Sequence, residues 1–175
     1  MQDGDTPLFA VSRMGFKDIA EILLENGADY HKCLHSEEAI AKSLKETESF
    51  ENEKQAWLDD VIYFGSQTIA TYIENKSVDY VFSVFAGSSP LHVACFMGHI
   101  EICRLLTEKL SSVDIRKEDG TTPLFYACEL GHLAIVRVLL DKGANPKIQR
   151  DDLSTPLTIA EVNGHTDVLS LLTKH

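Results

Sequence analysis

The chain has 175 residues, 44% hydrophobic and 25% charged, with a formal net charge of −11 at pH 7. That composition suits a folded domain with a core of its own, and an acidic balance spread along the chain argues against nucleic acid or an anionic membrane surface as partner and for a basic one. No run reaches the ~18 apolar residues of a membrane span, no basic-then-apolar leader pattern opens the chain, and Cys33, Cys95, Cys103 and Cys128 therefore read as reduced thiols of an intracellular, cytoplasmic protein.

The first element follows Asp3-Gly4-Asp5-Thr6-Pro7-Leu8, where Thr6 is placed to cap a helix and Pro7 to begin it. Gly15 ends that helix, and Ile19, Ile22, Leu23 and Leu24 give a second one before Asn26-Gly27 stops it. Opening so close to a hairpin leads us to expect a piece of a longer protein. Residues 34–50 read as an inserted helix: Ser36 caps, Glu37 and Glu38 suit an N-terminus, and Ile40 and Leu44 share a face. Phe50, Trp57, Leu58 and Val61 begin the next helix pair, which continues through Ile69, Tyr72 and Ile73. Residues 78–85, with Val78, Tyr80, Val81, Phe82, Val84 and Phe85, favour a strand by residue type. They read either as a long, sticky hairpin or as a strand packed on the insert.

From residue 89 one pattern is written three times: Ser89-Pro90-Leu91-His92-Val93-Ala94, Thr122-Pro123-Leu124-Phe125-Tyr126-Ala127 and Thr155-Pro156-Leu157, each start 33 residues after the last. Gly98-His99, Gly131-His132 and Gly164-His165 keep the same offset. A fixed period of this length is the mark of a stacked repeat, and Thr-Pro-Leu-x-x-Ala followed by Gly-His resembles the ankyrin repeat. The pair around Gly65 falls one period before Gly98, with Trp57 in place of Pro and Ala56 in place of the capping Thr, as a degenerate copy. The resemblance implies one all-α solenoid of stacked antiparallel helix pairs joined by hairpins, with repeats at about 1–33, 51–83, 84–116, 117–149 and 150–175 and an insert at about 34–50.

No residue constellation points to catalysis: Gly-x-Ser-x-Gly, a phosphate-binding glycine loop and His-Glu-x-x-His are all missing from the sequence. The chain is read as not an enzyme, with no cofactor. The recurring His99, His132 and His165 invite a reading as a metal site, but equivalent residues in stacked units lie about 8–10 Å apart, whereas zinc ligands sit at about 2.0–2.3 Å from one ion. The same spacing speaks against a Cys95–Cys128 disulfide. His92 resembles the family's own histidine, which bonds locally to hold turn and helix together.

In ankyrin-like arrays the ends of the first helices and the hairpins line a concave face where partners bind. Carried onto this chain, that face takes Tyr63, Phe64, Phe96, Met97, Glu129 and Leu130, extended by Phe85 and rimmed by the acidic Glu118, Asp119, Asp151 and Asp152. Aromatic residues and Met are enriched in interfaces, so the expectation is a protein–protein interaction module for a protein or peptide with apolar anchors and basic residues. Three alternatives stay open. The insert, through Ile40, Leu44 and Phe50, covers the same residues from within the chain; the chain self-associates through residues 78–85; or the array is an architectural spacer or an autoinhibitory lid for another domain of a larger parent protein.

Overall fold

Four short hydroxyl side chains set the frame. Thr6, Ser89, Thr122 and Thr155 each accept a hydrogen bond from the backbone N–H three residues on, at 3.1, 3.4, 3.3 and 3.1 Å. Each is followed by Pro at the first helical position, where its missing N–H leaves no intrahelical bond unmade. The structure is a computed structural model that describes residues 5–36, 38–40, 48–74 and 76–175. Its helices are α1 (Pro7–Met14), α2 (Lys17–Glu25), α3 (Glu48–Phe64), α4 (Gln67–Ile73), α5 (Val78–Phe85), α6 (Pro90–Met97), α7 (Ile100–Lys109), α8 (Pro123–Glu129), α9 (Leu133–Asp141), α10 (Pro156–Val162) and α11 (Thr166–Leu172). No strand occurs among the described residues.

Four helix pairs, α1–α2, α6–α7, α8–α9 and α10–α11, stack in that order. α1 lies along α6 as α6 lies along α8 and α8 along α10, while α2, α7, α9 and α11 form the second layer. The first unit thus packs directly on the unit beginning at Ser89. The α3–α4 pair, expected as a degenerate second repeat between them, does not take that place: α3 packs on α1, α4 and α5.

The backbone shows where the extra chain enters. Two hairpins close with the same bond, Lys117 N–H to the Thr121 carbonyl and Arg150 N–H to the Ser154 carbonyl, both 2.9 Å. The first hairpin closes identically, Leu34 N–H to the Ser88 carbonyl at 2.9 Å, with Gly87 N–H returning to the His35 carbonyl. Residues 35–87 are therefore carried at the tip of that hairpin, and the stack on either side keeps its register. The insertion is larger than the expected 34–50, because the α3–α5 segment belongs to it as well.

Within the insert, Ser36 caps as expected, its hydroxyl accepting from Ala39 N–H at 3.4 Å, and Ile40 is buried. Leu44 and the Phe50 side chain lie outside the described residues. Residues 78–85 form a helix, not a strand. Ser77 caps it through Tyr80 N–H (3.1 Å) and Asp79 suits its first turn, while Val81, Phe82, Val84 and Phe85 fall on one buried stripe. Burial of that stripe outweighs the strand preference of the individual residues.

Candidate functional site: the concave face and its cover

Near the end of each first helix stands one member of a row: Arg13, Phe96, Glu129 and Val162. The row is defined by the backbone, because the carbonyls of the first three accept from the ring Nε2–H of the next unit's histidine. His99 reaches Arg13 at 3.0 Å, His132 reaches Phe96 at 3.3 Å and His165 reaches Glu129 at 3.0 Å. The rings lie flat against the preceding glycines: a Cβ at Gly15, Gly98 or Gly131 would stand 2.7, 3.0 or 2.5 Å from the His99, His132 or His165 ring. Glycine is needed there both for that approach and for its positive φ. Burial lowers the pKa of His99 and His132, so these rings are neutral donors. The periodic histidines noticed in the sequence are the ties between units.

His92 does a related job inside its own turn. Its Nδ1 accepts from Ser89 N–H at 3.2 Å, and its Nε2–H donates to the Thr121 carbonyl of the following hairpin at 3.1 Å. Burial, with Lys117 nearby, brings its pKa down to about 3.

The side chains of the row face the insert. Arg13 Nη2 pairs with Asp60 Oδ2 of α3 at 3.1 Å, and the guanidinium lies 5.8 Å over the Phe85 ring. Phe96 sits among Tyr80, Phe85 and Tyr126 at ring separations of 6.5, 6.3 and 5.6 Å. Glu129 Oε1 accepts from the hydroxyls of Tyr72 (2.8 Å) and Tyr80 (3.0 Å). Burial raises the Glu129 carboxyl above its ordinary range, an effect that the two donors partly offset. Burial and the nearby carboxylate push Tyr72 up to about 12 and raise Tyr80 too. Lys76 lies over both rings, at 4.7 and 5.1 Å. Val162, the last member, is exposed.

Most of the residues expected to form a partner groove are consequently interior. Phe85, Phe96 and Met97 are 0% exposed, and Leu130 and Glu129 are buried as well. They do stand at the ends of the first helices, yet that end is roofed by α5, whose Phe85 also meets Phe9 and Trp57 edge-on at 6.5 and 5.7 Å. The same burial removes residues 78–85 as a surface for self-association. The acidic rim is also less acidic than its sequence. Arg150 Nη2 stands 3.1 Å from Asp119 Oδ2 and 3.9 Å from Asp152 Oδ2, and Asp119 further accepts from the Thr121 N–H and hydroxyl. Glu118 and Asp151 remain exposed beside Arg116 and Lys117 of the same hairpin edge.

Of the expected aromatic residues, two reach the surface. Tyr63 is 82% exposed, and Phe64 is half-buried against it at 4.7 Å between ring centroids. Phe64 in turn meets Phe16 edge-on at 5.8 Å. Phe16, Ile19 and Ile22 are three residues apart on one exposed side of α2, so a strip runs Ile22, Ile19, Phe16, Phe64, Tyr63. Sequence reasoning missed its α2 half, because Ile19 and Ile22 have the helical spacing of core residues.

Among the described residues no cluster of His, Cys, Asp or Glu is arranged to hold a metal ion, and no helix is long and apolar enough to cross a membrane. Cys95 and Cys103 lie buried with their sulfurs 3.6 Å apart, and burial raises the Cys95 and Cys128 thiols.

Comparison with known families detects the same repeat, over bounds that include α4 and α5 and end before α10. The family of ankyrin repeats in three copies matches residues 61–150, more than half of the chain, and a single ankyrin repeat matches residues 3–33. The chain belongs to the ankyrin-repeat family. Ankyrin repeats are in general protein–protein interaction modules and typically non-catalytic. No curated protein matches the chain.

Proposed function

We propose that this chain is a protein-interaction module that meets its partner along the strip from Ile22 to Tyr63 and not in the concave groove. The observation that carries the reading is the occupied row: Arg13, Phe96 and Glu129 are already engaged by Asp60, Phe85, Tyr80 and Tyr72 of the same chain. A partner entering the groove would have to expel α5, whose Phe82 and Phe85 are fully buried, at about 1.5–3 kcal/mol for each such side chain returned to water. The strip needs no such opening. It offers exposed aromatic and branched apolar side chains, the types that anchor interfaces, in one run across α2 and α3.

The mixed charges of the hairpin edge favour a partner with apolar anchors over one chosen for its basic residues. Arg150 already answers Asp119 and Asp152, and exposed charges steer encounter more than they hold a complex.

The test is affinity capture with three folded proteins: wild type, Phe16→Ser/Tyr63→Ser, and Val162→Ser. Loss of the captured protein with the strip variant and retention with Val162→Ser supports the reading. The reverse pattern would return recognition to the open end of the concave row.

A further inference from the structure

Among the described residues, four cations fasten the insert, within itself or to the stack. Arg13 is buried between Asp60 and the Phe85 ring. Lys54, also buried, pairs with Asp79 at 2.6 Å and stands 5.4 Å from the Phe82 ring. Lys117 is half-buried and donates to the Ser83 and Val84 carbonyls and to the Tyr126 hydroxyl. Lys76 differs from these three. It is exposed, and its ammonium rests on the faces of Tyr72 and Tyr80 with no hydrogen bond or ion pair to another described residue.

Its place gives that one charge leverage over the cover. Lys76 stands between the end of α4 at Ile73 and the cap of α5 at Ser77, with Tyr72 on one helix and Tyr80 on the other. Both rings point their hydroxyls at Glu129 of α8, so the ammonium lies over a contact that ties the start of α5 to the stack. The Glu129 carboxyl is buried, and Lys76 and Arg150 are the cations that favour its ionised form. The far end of α5 is fastened separately, by Lys117 on the Ser83 and Val84 carbonyls. Losing the Lys76 charge would free one end of α5 and leave the other attached.

We propose that Lys76 is a site of Nε-acylation, and that acylation there loosens the start of α5 over Glu129. This regulation of the cover goes beyond the reading of the strip and does not depend on it. The ammonium first gives one proton to solvent. Transfer from an acyl thioester then forms the amide C–N bond, breaks the thioester C–S bond and releases the thiol. The product is neutral, so it leaves no cation over the rings and no countercharge for Glu129.

Two measurements on the whole chain test this. Folded protein is incubated with acetyl-coenzyme A at mildly alkaline pH and mapped by peptide mass spectrometry. Label should appear at Lys76 about tenfold faster than at Lys54 or Lys117, which react only when their segments open. Equal labelling of the three overturns the site. The second measurement is amide hydrogen exchange of the chain carrying Nε-acetyl-lysine at position 76. The amides of Tyr80, Val81 and Phe82 should exchange about two- to fivefold faster than in the unmodified protein, the loss expected for an exposed cation over aromatic faces, with α6 unchanged. Lys76→Gln should behave as the acetylated chain and Lys76→Arg as the unmodified one. Unchanged exchange in the acetylated chain overturns the proposal, and so does equal acceleration in Lys76→Arg, which would assign the effect to packing and not to charge.

Discussion

His99 Nε2 and the Arg13 carbonyl oxygen stand 3.0 Å apart across 86 residues of sequence, while the same bond elsewhere spans 36 residues, from His132 to Phe96 and from His165 to Glu129. The difference of fifty residues is the length of chain that left the stack without disturbing it. An ankyrin junction survived the insertion because the insertion occurred at a hairpin tip, where the Leu34–Ser88 bond still closes the turn.

That bond can be weighed against its equivalent. His99→Ala removes the donor to Arg13 and the ring that lies on Gly15, and His132→Ala does the same to Phe96 and Gly98. Losing the partner of a buried carbonyl costs about 1–3 kcal/mol, so each variant should lower stability by an amount of that order in urea unfolding. A neutral His99→Ala beside a costly His132→Ala would mean that the first unit does not stack on the Ser89 unit.

Glu129 gives the cover a dependence on pH. Burial holds its carboxyl above the ordinary range in the folded state, so the folded protein binds that proton more tightly than the unfolded chain does. Its stabilising contribution is fully present below the ordinary Glu value of about 4.3 and is lost as pH rises through the folded value. Glu129→Gln retains an oxygen to accept from Tyr72 and Tyr80 and should flatten this part of the profile. Melting temperatures of both proteins across the acidic range test it, and parallel profiles would show that Glu129 does not carry the slope. Glu129→Ala, which strands both hydroxyls, should cost about 1–3 kcal/mol at any pH.

The sequence disclosed the stacked units far better than their neighbours. Thr-Pro-Leu, Gly and His recur because each serves local geometry: a cap, a turn, a tie to the preceding carbonyl. The cover was harder to read. Trp57, Leu58 and Ile69 keep the period of a repeat, yet α3–α4 packs beside the stack, since apolar spacing fixes which face is buried and not what buries it. Phe96 and Met97 stand where helix ends usually meet water, yet both are buried, Phe96 among Tyr80 and Phe85 of α5 and Tyr126 of α8. Ile19 and Ile22 show the converse: a core pattern in the sequence at positions that are about half exposed.

Leu153 and Gly120 form a matched pair. A non-glycine residue in the left-handed region costs roughly 1–2 kcal/mol, offset by the extra freedom glycine brings to the unfolded chain. Leu153 is exposed and packs little, so Leu153→Gly should leave the melting temperature unchanged or raise it by a few degrees. Gly120→Leu should destabilise the protein by about 1–3 kcal/mol, because its side chain meets the hairpin at Gln149 and Arg150. Equal effects at the two sites in thermal unfolding would contradict the difference between a Gly120 packed against the next hairpin and an exposed Leu153.

α5 is part of the core and closes the concave face over Phe96 and Glu129. Amide hydrogen exchange of the intact protein tests it most directly, because protection reports the free energy of exposing each segment. The amides of Val81, Phe82, Val84 and Phe85 should exchange as slowly as those of Val93, Ala94 and Cys95 in α6, and Ile19→Lys/Ile22→Lys should leave both sets unchanged. Fast exchange confined to α5, with α6 protected, would contradict it: the cover would then open on its own, and Phe96 and Glu129 would return as the surface a partner meets.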